Sequence, residues 1–117
     1  MSNVINNEKR IIEQYKEKYN IKCYPLQKHS IQINDWILRG KGDGITSIGQ
    51  LLEVKCRMNE IPKSISDADY AQVQSYLQIY GLDTCCFVQC MYTNDEINVR
   101  YIGRDNAYWT QVVLPKI

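Results

Sequence analysis

Two carboxylates and a lysine carry the chemistry most plainly visible in this chain. Glu53 and Lys55 stand in Leu51-Leu52-Glu53-Val54-Lys55-Cys56-Arg57, and Asp43 stands ten residues before Glu53 in Gly40-Lys41-Gly42-Asp43-Gly44-Ile45. Alternate side chains of an extended strand share a face. Glu53, Lys55 and Arg57 therefore fall on one side, and Leu52, Val54 and Cys56 on the other. The apolar set belongs in a core, whereas the charged set puts a carboxylate beside an ammonium. Glycines on both sides of Asp43 let the backbone approach a ligand closely. Two acids offer the oxygen ligands that a hard cation such as Mg²⁺ or Mn²⁺ prefers, with positions left for water and a substrate phosphate. A cation held this way acidifies water and offsets charge growing on phosphoryl oxygens, and a neighbouring lysine can orient that water. The chemistry implied is metal-assisted phosphodiester hydrolysis. A plainer account also fits these residues, a glycine-rich hairpin tip and a salt-bridged, solvated sheet face.

The surrounding elements must bring these groups together. From about Val4 to Tyr19 the apolar residues Val4, Ile11, Ile12, Tyr15 and Tyr19 recur at helical spacing, with Glu8 near the centre of their stripe. A carboxylate buried there calls for a partner or a metal, unless water and the dipole at the helix start suffice. After a loop around Tyr24-Pro25, residues 29–38 read as a hairpin turning at Asn34-Asp35 and leading into the strand end at Asp43. A loop over 58–65 precedes a helix that starts at Ser66, with Asp69 completing a capping-box pattern, and stops at Gly81. On that helix Tyr70, Val73, Leu77 and Tyr80 form one stripe, while Gln72 and Tyr76 lie one turn apart on another face. Residues 84–92 read as an interior strand, Thr93-Asn94-Asp95 as a turn, and 97–101 as a strand with one wet face. The tail over 107–113 fits a strand or a short helix equally.

Composition bounds the function classes. The 117 residues, 44% hydrophobic and 23% charged, make one soluble globular domain, 1–117, with no apolar run long enough for a membrane span and no signal peptide. The expected location is cytoplasmic, or the intracellular site of DNA replication, and not secreted. Five cysteines without a CxxC pair read as reduced thiols, not as a disulfide framework or zinc site, and a single histidine, His29, excludes multi-histidine metal sites. The net charge of +1 lacks the basic excess of a dedicated DNA-binding module. A grip on DNA would then be local, shared with a partner protein, or built by homo-oligomerisation.

Gly42-Asp43-Gly44-Ile45, then Leu52-Glu53-Val54-Lys55-Cys56-Arg57, then Tyr70-Ala71-Gln72-Val73-Gln74-Ser75-Tyr76-Leu77 resemble, in order and spacing, the PD-(D/E)xK nuclease superfamily. Within it they are similar to the YqaJ, lambda-exonuclease and RecB-like branch, whose Q-x-x-x-Y pattern Gln72 and Tyr76 satisfy, and Glu8 with Tyr15 looks like the branch's acidic first-helix motif. The resemblance implies an α/β restriction-endonuclease-like core, a mixed central β-sheet flanked by helices in the order αβββαβ. It implies that Asp43, Glu53 and the Val54 carbonyl ligate Mg²⁺ or Mn²⁺, and that Glu8 adds a ligand or holds water. Lys55 is then the catalytic lysine, Gln72 lines the site, and Tyr76, Gln74, Arg57 and Lys41 are the expected substrate contacts. The implied activity is a DNA exonuclease of viral or phage recombination or repair. Two other functions fit the same residues: a structure-selective endonuclease resembling a junction resolvase, and a catalytically silent DNA-binding or scaffold module.

Overall fold

Parallel pairing of the strand that bears Glu53 and Lys55 with the strand that follows it organises the structure, a computed structural model. The backbone is described for residues 2–93 and 96–117, and side chains from Lys9 onward; the side chain of Glu8 and the turn expected at Asn94-Asp95 lie outside the described residues. The chain runs α1 (Ser2–Tyr19), β1 (Cys23–Tyr24), β2 (His29–Ile33), β3 (Trp36–Gly40), β4 (Gly44–Thr46), β5 (Leu51–Arg57), α2 (Asp67–Tyr80), β6 (Thr84–Met91) and β7 (Ile97–Gly103). Short helical turns over 106–116 close it. They decide the open question of the tail in favour of helix, and Trp109 is buried among them.

Five strands form one mixed sheet in the order β1-β4-β5-β6-β7. β5 and β6 are parallel, with Leu51 opposite Cys85 and Arg57 opposite Met91, and the other pairs are antiparallel. A parallel pair needs a long crossover, and the loop after Arg57 together with α2 supplies it. Both faces of the sheet are covered. Ile11 and Tyr15 of α1 pack on Leu52, Val54, Cys86, Val88 and Cys90, while Val73 and Leu77 of α2 pack on Leu51, Cys85, Phe87 and Ile102. Each fully buried side chain of this size contributes roughly 1.5–3 kcal/mol. The alternation read in β5 thus separates two cores, and the face with Glu53 lies beneath α2.

Three local expectations needed adjustment. The hairpin β2–β3 forms its own two-stranded sheet, so Asp43 sits in the connection from β3 to β4 and not at a hairpin end. The loop near Tyr24 contains the short edge strand β1. At the start of α2, Ser66 Oγ accepts from the Asp69 amide at 3.1 Å as a cap should. The Asp69 carboxylate, however, does not return to the cap, because it pairs with Arg57 at 2.8 Å. Gly81 ends α2 at φ +66°, a left-handed conformation that glycine adopts without strain. None of the five cysteines is in a disulfide, and Cys85, Cys86 and Cys90 are buried; among the described residues no helix is long and apolar enough to cross a membrane.

Candidate functional site

The site grows from β5, whose residues from Glu53 onward extend past the end of the short β4. The register pairs Gly44 with Leu52, so the Val54 amide meets no residue of β4. It donates instead to Asp43 Oδ2 at 2.7 Å, and the Asp43 amide donates to Glu53 Oε1 at 3.1 Å. This reciprocal pair ties the Gly42-Asp43-Gly44 segment to β5 and brings two carboxylates to one place. Amide and carbonyl of one strand residue point to the same edge, so the Val54 carbonyl faces the Asp43 side as well.

Glu53 is only 3% exposed. Burying an ionised carboxylate costs several kcal/mol unless it is compensated, and a second carboxylate beside it adds to that cost. Burial pushes the Asp43 carboxyl above its ordinary range, although the Val54 amide, Lys55, Glu53 and Lys41 each draw it down. Such an arrangement is costly for a merely structural element, and it is the kind found where a cation is to be held.

The donor set fits a hard cation. Among the described residues no three His, Cys, Asp or Glu side chains converge, so the protein offers two carboxylates and a strand carbonyl, all oxygen. Mg²⁺ is commonly held by one or two carboxylates, with waters and substrate phosphate completing its shell. A carboxylate has roughly four lone-pair sites, so a hydrogen bond through one oxygen orients the group without exhausting it.

Lys55, the next residue on the Glu53 face, donates from Nζ to Gln72 Oε1 at 2.6 Å. The Gln72 Nε2 lies 3.4 Å from the Tyr76 hydroxyl, one helical turn on. Burial first, and then the Glu53 charge, push the Tyr76 phenol up, so it stays a neutral hydroxyl facing the acids. Asp43, Glu53, Val54, Lys55, Gln72 and Tyr76 are thus brought together, and Lys41 lies exposed beside them.

Two expected substrate contacts are placed elsewhere. Gln74 is fully buried; its Nε2 donates to the Gly103 carbonyl at 2.9 Å and its Oε1 accepts from the Asp105 amide at 2.8 Å. It lies two residues from Gln72, about 200° around the helix, and so faces β7 and the tail. Its role is to fasten α2 to the segment after β7. Gln74→Ala is expected to cost about 2 kcal/mol or more in denaturant unfolding, by orphaning two backbone groups. Arg57 is committed too: its Nε and Nη2 donate to Gln89 Oε1 at 3.1 and 2.8 Å, and Nη2 to Asp69 at 2.8 Å. That clamp fixes the first turn of α2 against β5 and β6, which sets where Gln72 falls.

Tyr80 was read in the sequence only as an apolar stripe residue, yet its hydroxyl supports the glycine segment. It accepts from the Gly42 amide at 3.1 Å and donates to the Gln27 carbonyl at 2.6 Å. The signal was available, since Gln72, Tyr76 and Tyr80 recur at intervals of four. Gly40 is required for a different reason. A Cβ there would stand 2.5 Å from Tyr76 Cε1 and 3.1 Å from Ile79 Cδ1. Gly40→Ala is expected to displace the Tyr76 ring at about 1–3 kcal/mol, measured as a lower denaturation midpoint.

A mixed sheet crossed by α2 between parallel strands, with α1 on the opposite face, is the fold of known nuclease structures. No protein-family model matches the chain, and no curated protein matches it in sequence. The fold is similar to that of an alkaline exonuclease, LHK-Exo, from Laribacter hongkongensis, with TM-score 0.72, 16% identity and 93% of this chain covered. The structure of LHK-Exo in complex with dAMP gives TM-score 0.76 at 16% identity over the same 93%. A protein named SSO0001 is similar at TM-score 0.63 and 18% identity, covering 93% of this chain and 54% of its own. The chain spans 60% of the length of LHK-Exo. At identities this low the likeness shows the fold alone.

Proposed function

We propose that this chain is a Mg²⁺- or Mn²⁺-dependent deoxyribonuclease, an exonuclease of the type used in viral or phage recombination and repair. The observation that carries the reading is the reciprocal tie of Asp43 and Glu53, which holds two partly or fully buried carboxylates at one edge of β5 with Lys55 on the same face. Likeness of fold to an exonuclease, one of whose structures holds dAMP, supports DNA as the substrate.

In this reading Asp43, Glu53 and the Val54 carbonyl hold the cation. When bound, it supplies an acidified water and offsets the charge that builds on the phosphoryl oxygens. The protein's own groups do the rest. Lys55, kept in place by Gln72, presents a proton at Nζ to the attacking water or a phosphate oxygen. Tyr76 presents a neutral hydroxyl on the same side, while α2 excludes bulk water from the Glu53 face. The DNA is held by groups outside the buried acids, Lys41 among them.

End-labelled linear duplex and covalently closed circular DNA, each incubated with Mg²⁺ and with a chelator, test this. Mononucleotides released from linear DNA only with the metal, and intact circles, are the expected result. Cut circles would replace the exonuclease by a structure-selective endonuclease. No cleavage of either substrate would leave a binding or scaffold module.

A further inference from the structure

Next to the acids, the base of the β2–β3 hairpin encloses an open groove of about 590 Å³, lined by Lys28, His29, Ser30, Arg39, Gly40 and Lys41. The two ends of the hairpin meet there because its register sets His29 opposite Gly40 and Ser30 opposite Arg39. Every side chain of the lining can donate a hydrogen bond, and none is a carboxylate. Lys28 and Arg39 are exposed, and among the described residues neither is in an ion pair. The volume would suit a small organic ligand, but such sites are mainly apolar with a few polar groups. An open groove lined by cations and donors suits a polyanion instead. The net charge of only +1 hides this concentration, because acidic residues elsewhere balance it.

Lys41 lines the groove and stands two residues before Asp43 in the chain. Its charge also acts on the Asp43 carboxyl, so one wall of the groove stands near the acids. We infer that it is a track for the sugar–phosphate backbone of a DNA strand, gripping internal phosphates away from the scissile bond, independently of sequence and of the metal. The choice of ligand rests on the nuclease reading above; the groove itself does not. Phosphate contacts of this kind govern affinity and its salt dependence while leaving the chemical step alone.

The test is fluorescence anisotropy of a labelled oligothymidylate in chelator, across a salt series, alongside cleavage of the same DNA in Mg²⁺. Wild type is expected to bind 5′-phosphorylated and 5′-hydroxyl strands equally, more tightly as the strand lengthens, and with inorganic phosphate a poor competitor. K28E/R39E is expected to bind about ten-fold or more weakly, with the slope of log K against log salt smaller by about 1.4, two contacts at roughly 0.7 each. K28Q/R39Q should show a weaker form of the same change, and unchanged melting temperatures certify both folds. Undiminished affinity and slope in a folded K28E/R39E overturn the inference, as do wild type that fails to bind and a strict requirement for a terminal phosphate. Groove-dependent binding without cleavage would uphold it while removing the nuclease reading; cleavage with groove-independent binding would do the reverse.

Discussion

Asp43→Asn is expected to lower Mg²⁺- or Mn²⁺-dependent DNA cleavage by about 1000-fold or more, corresponding to about 4 kcal/mol of transition-state stabilisation. Asparagine keeps an acceptor for the Val54 amide, which Asp43 Oδ2 holds at 2.7 Å, so the glycine segment should stay in place. What is removed is the charge. A second readout follows from the raised pKa of Asp43, whose first cause is burial. The folded chain retains this proton at pH values where the unfolded chain has released it. The group's contribution to stability is therefore full below the ordinary carboxylate range and is lost as pH rises through the raised value. In metal-free protein, melting temperatures of wild type should fall relative to Asp43→Asn as pH rises above the ordinary carboxylate range. Added Mn²⁺ should restore wild type by mass action and leave the variant nearly unmoved. Full cleavage by the variant, or a wild type that gains on the variant with rising pH, would remove Asp43 from the role assigned to it.

The parts of this site that the sequence disclosed are those set by local periodicity. The period of two in Leu51–Arg57 separated Glu53 and Lys55 from Leu52 and Val54, and both faces then found partners in the structure. Spacing of four on α2 put Gln72 and Tyr76 on one side, and both reach the Lys55 network. The same helical arithmetic would have sent Gln74 away from them, but its pairing with the Gly103 carbonyl and the Asp105 amide depends on where β7 ends. The partners of Arg57 were hidden for a related reason. On β5 it shares a face with the acids, but Gln89 of β6 and Asp69 of α2, distant in sequence, claim its guanidinium. The separation of β2–β3 from the main sheet was equally hidden. The hairpin's seat against α2 includes Gly40 lying close beneath Tyr76, a tertiary contact without a periodic signature. Glu53 stands out in the sequence as a carboxylate on a strand, but how deeply it is buried becomes clear only once α2 covers it.

Lys55→Ala should separate chemistry from metal binding. Its Nζ donates to Gln72 and lies on the same strand face as Glu53, but an ammonium has no lone pair for a cation. Turnover is expected to fall by about 10²–10⁴-fold, the range of a positioned proton donor or acceptor. Mn²⁺ affinity measured calorimetrically should change by no more than about three-fold, provided the pH is well above the carboxylate range. That proviso has a physical origin. The Lys55 charge is one of the influences drawing the Asp43 carboxyl down, so its loss lets Asp43 rise further and strengthens proton competition with the metal at low pH. The variant's metal affinity should therefore fall away from that of wild type on acidification and rejoin it on return to alkaline conditions. Lys55→Arg is not expected to rescue turnover, because a planar guanidinium does not reproduce a compact ammonium held 2.6 Å from Gln72 Oε1. If Lys55→Ala loses Mn²⁺ binding at alkaline pH, the lysine is holding the acids in place and not serving the reaction. If it keeps wild-type turnover, the charge on this face of β5 belongs to the sheet alone.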